Sequence, residues 1–96
     1  MTEPLAEAEQ ALGMGLLDRA ERLYRQAADA DPHSVVALTG LSRVAIDRGD
    51  DALALRLAWR ALELDPGNAV AARLVQRLEE VLSTRGEALP DREVNE

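Results

Sequence analysis

The chain contains no cysteine, no phenylalanine and no lysine. Without cysteine it has neither a disulfide nor a thiolate metal site, a composition compatible with a reducing compartment. Its only aromatic residues are Tyr24 and Trp59. A core must therefore be built from Leu, Ala and Val, which suit closely spaced helices, and Gly and Pro fall near the ends of the periodic segments. No apolar run approaches the roughly 20 residues a membrane helix needs. The opening MTEPLAEAEQ is acidic and lacks the apolar centre of a secretory signal. The expectation is a cytoplasmic protein with no membrane partner. A net charge of −7 argues against nucleic acid, which requires clustered cations. All eleven cations are arginine, which together with abundant alanine points to GC-rich coding and a bacterial source.

What is present is helical punctuation. At 96 residues the chain has room for one small domain of modest stability. Thr2 is a candidate N-cap with Pro4 in the first turn. That helix ends at Gly13-Met14-Gly15. A second runs from about Leu16 to Ala30 and stops before Asp31-Pro32, because the residue before proline disfavours helix. Ser34 caps a third, ending near Arg48-Gly49. Asp50 caps a fourth, which runs to about Leu64 and stops before Asp65-Pro66. Asn68 caps a fifth, ending at Arg85-Gly86. The closing EALPDREVNE is acidic, interrupted by proline and without periodicity, and reads as a disordered tail.

Chemistry has little to work with. His33 is the only histidine, and it falls in the turn DPHS, where a solvated residue is the plain expectation. Glu79-Glu80 and Asp29/Asp31 are the nearest approach to metal carboxylates, but neighbours on a helix point in different directions. Gly13-Met14-Gly15 lacks the Lys-Ser/Thr that follows a phosphate-binding loop. The expectation is a non-enzyme without cofactor or metal.

The chain also says nearly the same thing twice. Asp31-Pro32 recurs thirty-four residues on as Asp65-Pro66, Gly15 as Gly49, Ala20 as Ala54 and Ala27 as Ala61. A helix–turn–helix period of this length is the signature of tetratricopeptide repeats. The chain resembles that family over nearly its whole length. The first repeat supplies Ala8, Gly15, Ala20, Tyr24, Ala27 and Pro32 at the family's marked positions. The second supplies Ser42, Gly49, Ala54, Ala58, Ala61 and Pro66. The resemblance implies an all-α fold of five helices, with antiparallel hairpins stacked as a short right-handed superhelix. It divides residues 1–86 into repeats at 1–34 and 35–68 and a capping helix at 69–85, followed by the tail at 87–96.

Three departures stand out. Pro4 and Glu7 replace large apolar residues in the first helix. Asp51 takes a position that is usually apolar. Ala58 replaces the aromatic found at Tyr24, leaving room for a neighbour to fill. In the fifth helix Ala71, Leu74, Val75, Leu78, Val81 and Leu82 form one apolar stripe. Gln76 and Glu79 are expected on the side that a following helix would cover, making this helix a polar cap. Two repeats and a cap are near the minimum for a stable array.

The resemblance further implies a concave groove lined by the first helix of each pair. The positions carried over are Thr2, Leu5, Glu9 and Leu12, then Val36, Thr39, Arg43 and Ile46, then Val70, Arg73, Arg77 and Glu80. Each set falls on one helical stripe. Arg43, Arg73 and Arg77 would meet an acidic segment or a C-terminal carboxylate, since arginine presents a planar fork to carboxylates. Ordinary surface charge, with Arg77 paired to Glu80, is the competing view. Some family members clamp a terminal carboxylate with Lys and Asn, at positions that here hold Leu5 and Glu9, so the resemblance does not extend to that clamp. Trp59, with Leu55 and Leu62 at helical spacing, is a candidate self-association face. The alternative is a ring laid over the hairpin edge under arginine stems. The leading expectation is an adaptor or scaffold that binds a protein or peptide. A homo-oligomeric assembly domain and a regulatory or chaperone-like domain acting on an enzyme are the alternatives, with small-ligand binding in the groove a weaker one.

Overall fold

A computed structural model describes residues 3–92, with the side chain of Glu3 excluded. It contains α1 (Glu3–Gly13), α2 (Leu17–Ala30), α3 (Val35–Asp47), α4 (Asp51–Leu64) and α5 (Ala69–Thr84), with no strand among the described residues. None of these helices is long and apolar enough to cross a membrane. Thr2, the expected first cap, lies outside the described residues.

The caps fall where side-chain chemistry puts them. Ser34 accepts from the Ala37 amide at 3.2 Å, Asp50 from Leu53 at 3.1 Å and Asn68 from Ala71 at 2.9 Å. Each bond satisfies a donor that the first turn leaves free. Gly15, Gly49 and Gly86 turn left-handed, at φ 76°, 83° and 73°. That conformation lets the next amide reach back into the helix: Leu16 to the Ala11 carbonyl, Asp50 to Ala45 and Glu87 to Leu82. Gly86 lies beyond position 83, where a strict repeat would put it, so α5 runs longer than α1 and α3.

Consecutive helices pack against one another, forming the hairpins α1–α2 and α3–α4 with α5 laid on α4. The helices come close because the contact residues are small. Ala8, Ala20, Ala37, Ala54, Ala58, Ala61 and Ala71 are all completely buried. Ser42, also buried, donates from its hydroxyl to the Ala54 carbonyl at 2.8 Å, joining the second hairpin across its seam.

The two inter-repeat seams are filled in opposite ways. At the first, the buried ring of Tyr24 lies directly on Gly40, where a Cβ would stand 2.2 Å from Tyr24 Cε1. At the second, Ala58 occupies the position equivalent to Tyr24, and Leu74 the position equivalent to Gly40. Leu74 packs against the buried cluster that contains Ala58, Trp59, Leu78 and Leu82. The room left by Ala58 is thus taken by neighbours.

Each seam is also closed by charge at its edge. Arg48, at the C-terminus of α3, pairs with Asp18 in the first turn of α2 and with Glu21. Arg85, at the C-terminus of α5, pairs at 2.9 Å with Asp51 in the first turn of α4. Both place a cation at a helix C-terminus and an anion at an N-terminus, where the helix dipoles favour them. This explains Asp51 at a position that is usually apolar.

Candidate functional site

The groove forms from the first helix of each pair. α1 touches α3, while no comparable contact joins α3 to α5. In that gap a cavity of about 670 Å³ opens. Leu12, Ile46, Val70 and Leu74 supply its apolar lining, and Arg43, Arg73 and Arg77 stand among them. Asp47 and Glu80 are the carboxylates of the lining, so three cations face two anions in a chain of net charge −7.

The structure brings together most of the expected groove residues. Leu12, Arg43, Ile46, Val70, Arg73, Arg77 and Glu80 all line the cavity. Leu5 instead packs half-buried against the first core cluster. Thr39 is buried, and its hydroxyl donates to the Val36 carbonyl of its own helix at 3.1 Å, so its one donor is taken. Val36 is exposed outside the cavity lining. Glu9 reaches across to α3 and accepts from Arg43 Nη1 at 3.1 Å. Both side chains remain nearly half exposed, so this pair contributes about 0.2–1 kcal/mol. Arg77 makes no ion pair with Glu80, and among the described residues neither Arg73 nor Arg77 has a carboxylate within 4.0 Å.

Three further placements differ from expectation. Gln76, expected on the open side of α5, lines the groove beside Arg73 and Arg77. Glu79, expected with it, turns instead to α4 and accepts from Trp59 Nε1 at 3.1 Å. Trp59 is not an exposed hot spot: it is 3% exposed, and Leu55 beside it is fully buried. The Arg92 guanidinium lies 4.6 Å from the centre of the indole ring, as the hairpin-edge alternative required. Leu62 is half-buried against a cluster of Leu38, Ala61 and Ala71. The face expected at Leu55, Trp59 and Leu62 is therefore mostly interior: Leu78 and Leu82 share the buried cluster of Leu55 and Trp59, and Glu79 and Arg92 meet the indole.

The Tyr24 hydroxyl is buried, and among the described residues no acceptor meets it in good hydrogen-bond geometry. Burial pushes its pKa well above the ordinary value. The Glu9 carboxylate, placed to accept from the hydroxyl, raises it further through that contact and its charge, and Arg43 opposes the shift. Asp47 and Leu74 were not anticipated in the groove, although each directly follows a residue of the groove stripe, Ile46 or Arg73. His33 is exposed in its turn, where its amide donates to Asp31 Oδ1 at 3.0 Å.

The tetratricopeptide repeat family model matches residues 11–78. The chain belongs to that family, whose repeats generally mediate protein–protein interaction and are typically not catalytic. Neither the curated proteins nor the solved structures give a significant match.

Proposed function

We propose that the protein is a non-enzymatic adaptor that receives an extended segment of a partner protein in the groove of α1, α3 and α5. The segment places apolar side chains on Leu12, Ile46, Val70 and Leu74, and an acidic group against Arg73 and Arg77. The observation that supports this reading most directly is the pair of arginines without carboxylate partners among the described residues, set in an apolar groove of an acidic protein. Guanidinium forks in that setting favour carboxylates. Self-association through Leu55, Trp59 and Leu62 has lost its footing, since the first two side chains are buried. The test is a quantitative pull-down from source lysate, comparing wild type with Arg73→Glu/Arg77→Glu after circular dichroism has shown the variant folded. A protein held by wild type and released by the variant supports the adaptor. Identical catches from the two would refute the groove.

A further inference from the structure

After α5 ends at Thr84, the chain turns back, and the Arg92 guanidinium lies 4.6 Å from the centre of the Trp59 ring. The indole Nε1 in turn donates to Glu79 in the body of α5. Arg92 is therefore anchored beside the helix that carries Arg73, Gln76, Arg77 and Glu80 into the groove. Glu79 directly precedes Glu80 and stands one turn from Gln76. Arg73 lies roughly 9 Å back along the helix axis from Glu79, at about 1.5 Å per residue. Arg73, Gln76, Arg77 and Glu80 are all exposed, so an open face of α5 runs from the Trp59 flank to the groove.

Glu93, Val94, Asn95 and Glu96 follow Arg92 and lie outside the described residues. Four extended residues span up to roughly 13–14 Å. A helix with its side chains is about 10–12 Å across, so this length is enough to cross the open face of α5. The segment carries two carboxylates with an apolar residue between them, and Arg73 and Arg77 have no carboxylate within 4.0 Å among the described residues.

We propose that the chain's own residues 93–96 occupy the α5 end of the groove when no partner is bound, placing Glu93 and Glu96 against Arg73 and Arg77. This rests on the groove reading above. The partner's acidic group then competes with a tethered one, whose effective concentration is set by the short link to Arg92. A segment displaces the tail only by bringing more acidic groups or a better apolar fit, so the tail sets a threshold on what the groove accepts. Arg43, already paired with Glu9, stays outside this competition.

The chain has no cysteine, so Asn95→Cys places a single nitroxide label in the tail. Without ligand, the label should broaden the amides of Ala72, Gln76 and Glu80, and Arg73→Glu/Arg77→Glu should sharpen them. Amides that stay sharp, or broaden equally in both proteins, overturn the proposal. Broadening caused only by a label on another chain puts a second copy's tail in the groove and overturns it too. The second arm titrates a fluorescently labelled oligoglutamate peptide at fixed ionic strength. Glu93→Gln/Glu96→Gln should tighten binding by about two- to thirtyfold, the range for releasing two exposed ion pairs. Glu87→Gln/Asp91→Asn removes equal charge ahead of Arg92 and should tighten it less. Equal tightening by the two pairs assigns the effect to net charge and overturns the tail's seat. If Arg73→Glu/Arg77→Glu loses the peptide while Glu93→Gln/Glu96→Gln leaves affinity unchanged, the groove reading stands and the tail proposal falls. If Arg73→Glu/Arg77→Glu binds as wild type does, the groove reading fails, and the label alone decides whether the tail lies on α5.

Discussion

Gly40→Ala is the sharpest test of how the repeats fit together. The added Cβ would stand 2.2 Å from Tyr24 Cε1 and 2.3 Å from Cζ. Carbon atoms in contact prefer about 3.5–4.0 Å, so the ring must retreat by more than an ångström or α3 must lift away. The ring is completely buried, so any retreat must displace packed neighbours. Such overpacking costs typically about 1–3 kcal/mol. Alanine regains about 1 kcal/mol over glycine within a helix. With a clash this deep, we expect a net loss of about 2 kcal/mol. At about 4–8 °C per kcal/mol for a domain of this size, the midpoint should fall by roughly 8–16 °C. Thermal and urea melts followed by far-UV circular dichroism provide the assay, with the urea midpoint moving at constant m. The same substitution in a Tyr24→Leu background should change sign and stabilise by about 1 kcal/mol, since only helix propensity remains. A Gly40→Ala protein that melts at or above wild type would refute the close approach of ring and glycine.

Ser42→Ala removes the buried hydroxyl bonded to the Ala54 carbonyl and should cost about 1 kcal/mol in the same melts. Arg92→Ala uncovers the indole, so acrylamide should quench Trp59 fluorescence more strongly; unchanged quenching would remove Arg92 from the Trp59 face. Burial and the adjoining Glu9 raise the Tyr24 pKa in the folded state above its ordinary value of 10.0. Its contribution to stability is therefore complete below pH 10 and is lost as pH rises beyond it. Tyr24→Phe should flatten that alkaline limb in denaturation curves taken across pH. At the acid end, Arg48 holds the Asp18 carboxyl below its ordinary 3.8. That contribution is present above the ordinary value and is lost as pH falls through the lowered one. Asp18→Asn should therefore soften acid unfolding, and an unchanged acid limb would show that the ion pair does not hold in solution.

The local signals of the fold were legible because they act over a few residues. Ser34, Asp50 and Asn68 cap the helices they announce, and Gly15 and Gly49 end them, because a cap or a left-handed turn needs only its own neighbours. Much of the groove followed from helical spacing, which set Arg43 and Ile46 on one stripe of α3, and Val70, Arg73 and Arg77 on one stripe of α5. What was lost depended on partners distant in sequence. Trp59 borders a polar strip on α4, and it takes Leu78, Glu79, Leu82 and Arg92, far along the chain, to make that border an interior. Gln76 and Glu79 were placed together because a helix pattern cannot say which neighbour claims which flank. Thr39 departs for a nearer reason: it is buried, and its hydroxyl spends its donor on its own helix.

The opposite filling of the two seams has a consequence for growth of the array. A tandem copy of the second repeat would set Ala58 against Gly40 and leave a hole between them. A tandem copy of the first would drive Tyr24 onto Ala6. The protein therefore cannot be lengthened by duplicating either unit as it stands. Each of these two joints accepts one neighbour, so the order of the units is written into side-chain volumes.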